Sequence, residues 1–162
     1  MNVIFLDFNG VLDTYYQMNE INQDNLNRLK RIVEETNAKI VISSSLKNTY
    51  HYCGRFSQHF HEILNQLTSE GLEIVGITPL AKEREQEIMM YLDTHPEIEN
   101  FCIIDDDYDM ELLKEHLVKL PCQSEEGQMG LDDFHMHMAI DILKKKKEKS
   151  NKKLQLTKKT SI

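Results

Sequence analysis

Asn2-Val3-Ile4-Phe5-Leu6-Asp7-Phe8-Asn9-Gly10-Val11-Leu12-Asp13 is the stretch that decides the fold. Val3 to Leu6 is a short apolar run without polar alternation, which reads as a strand buried on both faces, as in a parallel sheet. The strand delivers Asp7 into a loop that Gly10 allows to turn. Two positions beyond the aspartate stands Asn9, an amide where a proton-transferring acid would be most useful to a nucleophile.

Outward from this strand, apolar runs and helical patterns alternate, the signature of an α/β fold. A helix is predicted over about residues 22 to 36, with Ile21, Leu26, Leu29, Ile32 and Val33 on one face. Ile40-Val41-Ile42 is a buried strand that ends in Ser43-Ser44-Ser45. A helix over about residues 57 to 69 turns Phe60, Ile63, Leu64 and Leu67 inward, and a third strand covers about 72 to 77. The next helix, about 81 to 94, presents Ile88, Met89 and Leu92 and stops before Pro96. Phe101 to Ile104 is a fourth strand running into Asp105-Asp106-Asp107. A short helix near 110 to 115, a strand near 117 to 120 and a last helix capped by Asp132 complete the pattern.

The 162 residues are enough for one core, and 40% hydrophobic with 28% charged residues is ordinary for a globular chain. No apolar run is long enough to span a bilayer and no signal segment opens the chain, so the expected location is the cytoplasm, with no membrane partner. Cys53, Cys102 and Cys122 are odd in number and lack metal-ligand spacing, and Cys102 is expected in the core. The net charge of −8 conceals an asymmetry: nine lysines and one acid from Lys144 onward give about +8, leaving about −16 on the preceding residues. Two parts are therefore expected, a domain over residues 1 to 143 and a lysine-rich tail over 144 to 162, frayed or disordered. The acidic body opposes non-specific binding to phosphate backbones, and the tail can contact nucleic acid.

Ligands of open α/β sheets bind beyond the carboxyl ends of the strands. There the sequence collects Asp7, the serines at 43 and 44, and the aspartates at 105 and 106, with Lys82 and Arg84 at a helix start. Carboxylates from two strands need a cation between them, and hard oxygen ligands suit Mg²⁺. Hydroxyls, backbone N–H groups and a guanidinium or ammonium suit a phosphoryl group.

In order and position these motifs resemble the haloacid dehalogenase-like (HAD) phosphatase superfamily. The matching segments are Asp7-Phe8-Asn9-Gly10-Val11-Leu12, Ile40-Val41-Ile42-Ser43, a basic residue at Lys82 or Arg84, and Phe101-Cys102-Ile103-Ile104-Asp105-Asp106. The triple serine, Arg84-x-x-Glu87-Ile88-x-x-Tyr91-Leu92, the three aspartates and Gly130-Leu131 are similar to the small uncapped HAD domains associated with bacterial RNA-repair proteins.

The resemblance implies a Rossmann-like parallel sheet with helices on both faces and no separate cap domain. It also implies a phosphomonoesterase that uses Mg²⁺ and an aspartyl-phosphate, with a phosphorylated small molecule or a nucleic-acid end as substrate. Asp7 would be the nucleophile, and Asp7, the Asn9 carbonyl and at least one of Asp105 and Asp106 would bind the metal. Asn9, Gly10, Ser43, Ser44 and Arg84 or Lys82 would surround the phosphate, Arg84 fitting the spacing to Glu87 better.

Most members have an aspartate where this chain has Asn9, so the resemblance implies weakened turnover. Three explanations stand: an engineered substitution that silences the enzyme, a natural enzyme that takes its acid from substrate or from Asp13, or a silent phosphate-binding module. His59-x-His61 and His135-x-His137 are not chelating pairs, because helical positions i and i+2 point about 200° apart. Tyr15 and Tyr16 either contact substrate or pack over the sheet edge.

Overall fold

A computed structural model describes residues 1–48 and 57–145. Five parallel strands, β1 (Asn2–Leu6), β2 (Lys39–Ile42), β3 (Ile74–Ile77), β4 (Asn100–Asp105) and β5 (Leu117–Lys119), form one sheet in the order β3-β2-β1-β4-β5. The helices that lie within the described residues are α1 (Gln23–Thr36), α2 (Gln58–Ser69), α3 (Arg84–Thr94) and α4, over residues 133–145. A 3-10 turn, Lys114–His116, stands near the short helix expected around 110 to 115. No cap domain is seen over the sheet among the described residues, and none of their helices is long and apolar enough to cross a membrane.

The apolar character of β1 follows from its central place. Ile4 and Leu6 face a core with Leu26 and Leu29 of α1, Phe60 and Ile63 of α2, and Met136 and Ile140 of α4. Val3 and Phe5 point the other way, into a cluster with Ile88 and Tyr91 of α3, Phe101 and Met110. Alternate residues of one strand thus enter two cores, which is why the strand shows no polar alternation. Phe5 makes edge-on contacts with Tyr91 and Phe101, at centroid distances of 5.8 and 5.7 Å, and truncating a buried Phe of this kind to Ala costs about 3–5 kcal/mol.

Helix ends obey local chemistry. The Asn22 side chain accepts the Asn25 N–H at the start of α1, and Asn37 closes it in the left-handed region at φ 53°. Asp132 caps α4 by accepting the His135 N–H at 2.8 Å.

Three expectations shift. β3 begins at Ile74, two residues later than predicted. α3 begins at Arg84, so Lys82 precedes the helix, and its buried face is Arg84, Glu87, Ile88 and Tyr91, leaving Met89 at the surface. Lys144 and Lys145 continue α4, and Lys144 pairs with Glu35 at 3.3 Å. The rest of the lysine tail and Cys53 lie outside the described residues.

Candidate active site

Because β1 lies between β2 and β4, its carboxyl end has a neighbour on each side. The Asp7 N–H donates to the Ile104 carbonyl, and the Ser43 N–H to the Leu6 carbonyl, both at 3.0 Å. Asp7, Ser43 and Asp105 are thereby brought side by side, and all three are buried. Asp106 joins them: a carboxylate oxygen from each of Asp7, Asp105 and Asp106 falls within 4.8 Å of the others. Gly10 makes room for this group. It sits at φ +78°, and a Cβ there would lie 2.1 Å from the Asp106 Oδ2, so both backbone angle and space exclude a side chain.

The electrostatics follow from crowding. Burial first, then the negative charge of Asp105, pushes the Asp7 carboxyl well above its ordinary range, while the Arg84 guanidinium pulls against the shift. Burial likewise raises Asp105 and Asp106, opposed by Arg84 at the former and by the Gln123 N–H at the latter. Three buried carboxyls this close stay ionised together only with positive charge added.

The donor set fits Mg²⁺. Asp7, Asp105 and Asp106 offer carboxylate oxygens, and the Asp105 Oδ2 is buried without a hydrogen-bond partner, the condition expected of a hard-cation ligand.

On the β2 side, the Ser43 Oγ and the Arg84 Nη1 are also buried and without hydrogen-bond partners. Arg84 reaches the site from the first turn of α3. Its Nη2 donates to the Ser45 Oγ at 2.8 Å, its Nη1 lies 4.0 Å from the Asp105 Oδ2, and its guanidinium is 4.9 Å from the Tyr108 ring centroid. Unsatisfied donors beside a buried carboxylate suit phosphoryl oxygens. Ser44 is buried next to Ser43, and its Oγ accepts the Leu46 N–H at 3.3 Å. Lys82, the alternative basic residue, is exposed and outside this group.

The other flank is closed on itself. The Asn9 Nδ2 donates to the Asp13 Oδ2 and to the Asn19 Oδ1, each at 2.9 Å. Asp13, fully buried, also accepts from the Gly10 N–H at 2.6 Å, the Asn19 N–H at 2.8 Å and the Gln123 Nε2 at 2.7 Å. With four donors converging on it, Asp13 is an acceptor that holds the loop, and it is not arranged to lend a proton. Gln128 adds a bond from its Nε2 to the Gly10 carbonyl at 2.6 Å. Gly130 lets the two loops close: at φ +72° its missing Cβ would meet the Asn25 Nδ2, the Asp13 carbonyl and the Val11 carbonyl within 2.6 Å.

Sequence patterns gave no notice of Lys47, Gln123 and Gln128 and assigned Glu87 no role beyond its spacing from Arg84; all four are polar, and the only signal was the run of polar residues after a strand or within a helix. Of the flanking tyrosines, Tyr15 is half-buried, with its N–H bonded to the Gln128 carbonyl, and Tyr16 is exposed. His59, His61 and His137 are exposed, and His135 bonds to Asp132, so neither histidine pair enters the site.

No curated protein and no solved structure matches the chain. A family model described as the HAD domain in Swiss Army Knife RNA repair proteins matches residues 3–133.

Proposed function

The chain belongs to the family of HAD domains in Swiss Army Knife RNA repair proteins, and from that membership we propose that it is a Mg²⁺-dependent phosphomonoesterase acting through an aspartyl-phosphate on Asp7, with nucleic-acid end phosphates as its substrates. The carrying observation is the arrangement around Asp7: clustered carboxylates on one side and, on the other, the unpartnered Ser43 Oγ and Arg84 Nη1. The open sheet edge supports a macromolecular end as substrate, and small phosphoesters share the same phosphate chemistry.

In this reading an Asp7 carboxylate oxygen forms a bond to phosphorus while the bond from phosphorus to the ester oxygen breaks. Ser43 and the Ser44 N–H hold the phosphoryl oxygens, and Arg84 balances their charge as the group transfers. Water then attacks the aspartyl-phosphate, releasing inorganic phosphate and restoring Asp7. Asp7, the Asn9 carbonyl, Asp105 and Asp106 would hold Mg²⁺, which supplies charge neutralisation for both the carboxylates and the phosphoryl group.

The leaving oxygen lacks a proton donor at position 9. The Asn9 amide gives both hydrogens to Asp13 and Asn19 and transfers neither. That observation favours a second reading, a module that binds phosphorylated ends without turnover. Hydrolysis of 4-nitrophenyl phosphate with Mg²⁺ separates the two, because its leaving group needs no acid. Turnover that falls at least about 10³-fold in Asp7→Ala supports the enzyme, and phosphate binding without turnover supports the module.

A further inference from the structure

Beneath the phosphate-facing side lies a charged pair that the proposed reaction does not use. Lys47, only 1% exposed, places its Nζ 2.5 Å from the Glu87 Oε2 and 3.5 Å from the Ser43 carbonyl. Glu87 also accepts the Ala81 N–H at 3.4 Å and lies 3.7 Å from the Arg84 Nε. Lysine is rarely buried, and here burial, with Arg84 adding to it, lowers the Lys47 pKa against the hydrogen bond to Glu87. A buried ion pair is seldom more stabilising than apolar side chains of the same volume, so its effect on its neighbours is of more interest than its strength.

Arg84 and Glu87 stand three residues apart on one face of α3, the spacing at which a carboxylate and a guanidinium pair readily. They do not close into a short pair, because the near partner of Glu87 is the Lys47 ammonium. The Arg84 Nη1 is left without a hydrogen-bond partner.

We propose that Lys47 is a positioning residue that engages Glu87 and thereby keeps Arg84 free for a phosphoryl oxygen. This rests on the phosphoryl-transfer reading of the site. Lys47 offsets the charge of Glu87, so Arg84 faces Asp105 and the phosphate with its own charge intact. Without Lys47, Glu87 neutralises Arg84 and draws it back along the helix. Lys47 also bonds the carbonyl of Ser43, so one ammonium ties the serine strand end to the helix that carries the arginine.

The test is calorimetric titration of the full chain with inorganic phosphate in the presence of Mg²⁺, folding being checked by circular dichroism. Lys47→Met, which keeps the length of the side chain, is expected to weaken binding about tenfold, the worth of one charge-assisted hydrogen bond. Adding Glu87→Gln is expected to restore binding to within about threefold of the unsubstituted chain, because the competing charge is gone. A pair that is only structural shows its loss and recovery in the melting midpoint, and phosphate affinity measured well below each midpoint stays unchanged. Unchanged binding in Lys47→Met, or no recovery in the double variant, overturns the inference and leaves the phosphoryl site standing. If Lys47→Met does not fold, the double variant decides: near-normal binding supports the inference and a tenfold loss overturns it. Absence of phosphate binding in the unsubstituted chain overturns the phosphoryl reading itself, and the inference with it.

Discussion

The two flanks of Asp7 are built on opposite terms. Around the carboxyl ends of β2 and β4 and the start of α3, the Ser43 Oγ, the Arg84 Nη1 and the Asp105 Oδ2 are buried and lack hydrogen-bond partners. Toward the loop after β1, the Asp13 carboxylate accepts four donors and the Asn9 amide gives both its hydrogens. The first flank is arranged around groups that the protein itself does not supply, while the second is arranged around its own shape. Buried polar atoms left open are costly unless a ligand meets them, so the open flank is where the proposed metal and phosphate would enter. The closed flank explains why position 9 is structurally secure and chemically idle.

The largest change to this contrast comes from Asn9→Asp. Its carboxyl would stand where the amide now meets the Asp13 Oδ2 at 2.9 Å, and two carboxyls this close retain a proton between them. That proton is the one the leaving oxygen needs, so hydrolysis of alkyl phosphates with Mg²⁺ is expected to rise about 10²- to 10⁴-fold, with a smaller gain for 4-nitrophenyl phosphate. An unchanged alkyl phosphate rate would show that position 9 does not serve the leaving group.

A smaller effect tests the open flank. Burial raises Asp7, Asp105 and Asp106, so the folded chain holds protons that the unfolded chain has given up. The stability this contributes is fully present below the ordinary carboxylate range and is lost as pH rises through the raised values. Metal-free protein is therefore expected to melt lower at pH 8 than at pH 5, with Mg²⁺ recovering the loss. Asp106→Asn is expected to raise the metal-free midpoint at pH 8 by about 3 °C and to shrink the Mg²⁺ response. Thermal scans with chelator and with Mg²⁺ check both, and a midpoint indifferent to pH and metal would remove the electrostatic argument.

The smallest effect belongs to the closed flank. Gln123→Ala deletes one of the four donors to Asp13 and leaves the backbone bond from residue 123 to Asp106 in place. A loss of about 1 kcal/mol, or about 2–4 °C in the melting midpoint, is expected, with phosphate binding unchanged by calorimetry. A loss of phosphate binding instead would mean that the two flanks are not independent.

The sequence exposed the open flank better than the closed one. Asp7, Ser43, Asp105 and Asp106 follow apolar strands directly, so their place at the sheet edge could be read from strand polarity alone. Arg84 was legible through its spacing, although the helix it opens begins later than its apolar pattern suggested, which is why Lys82 remained an alternative. Lys47 and the burial of Glu87 were hidden because hydrophobic periodicity cannot detect a buried helix face whose members are charged. The same blindness turned Met89 inward on paper, whereas in the structure Arg84 and Glu87 occupy that side. Asp13, Gln123 and Gln128 join loops distant in sequence, and no local pattern announces a bond between them.

The central place of β1 also has a consequence for how the molecule is made. Its register runs from Asn2 against Asn100 to Leu6 against Ile104, so β1 waits for a strand far along the chain before it finds its second neighbour. Contacts of such long sequence separation slow folding, and until they form, an apolar strand remains open to other chains. Asp7 thus acquires the surroundings proposed for a nucleophile only after β4 has followed β1 through synthesis.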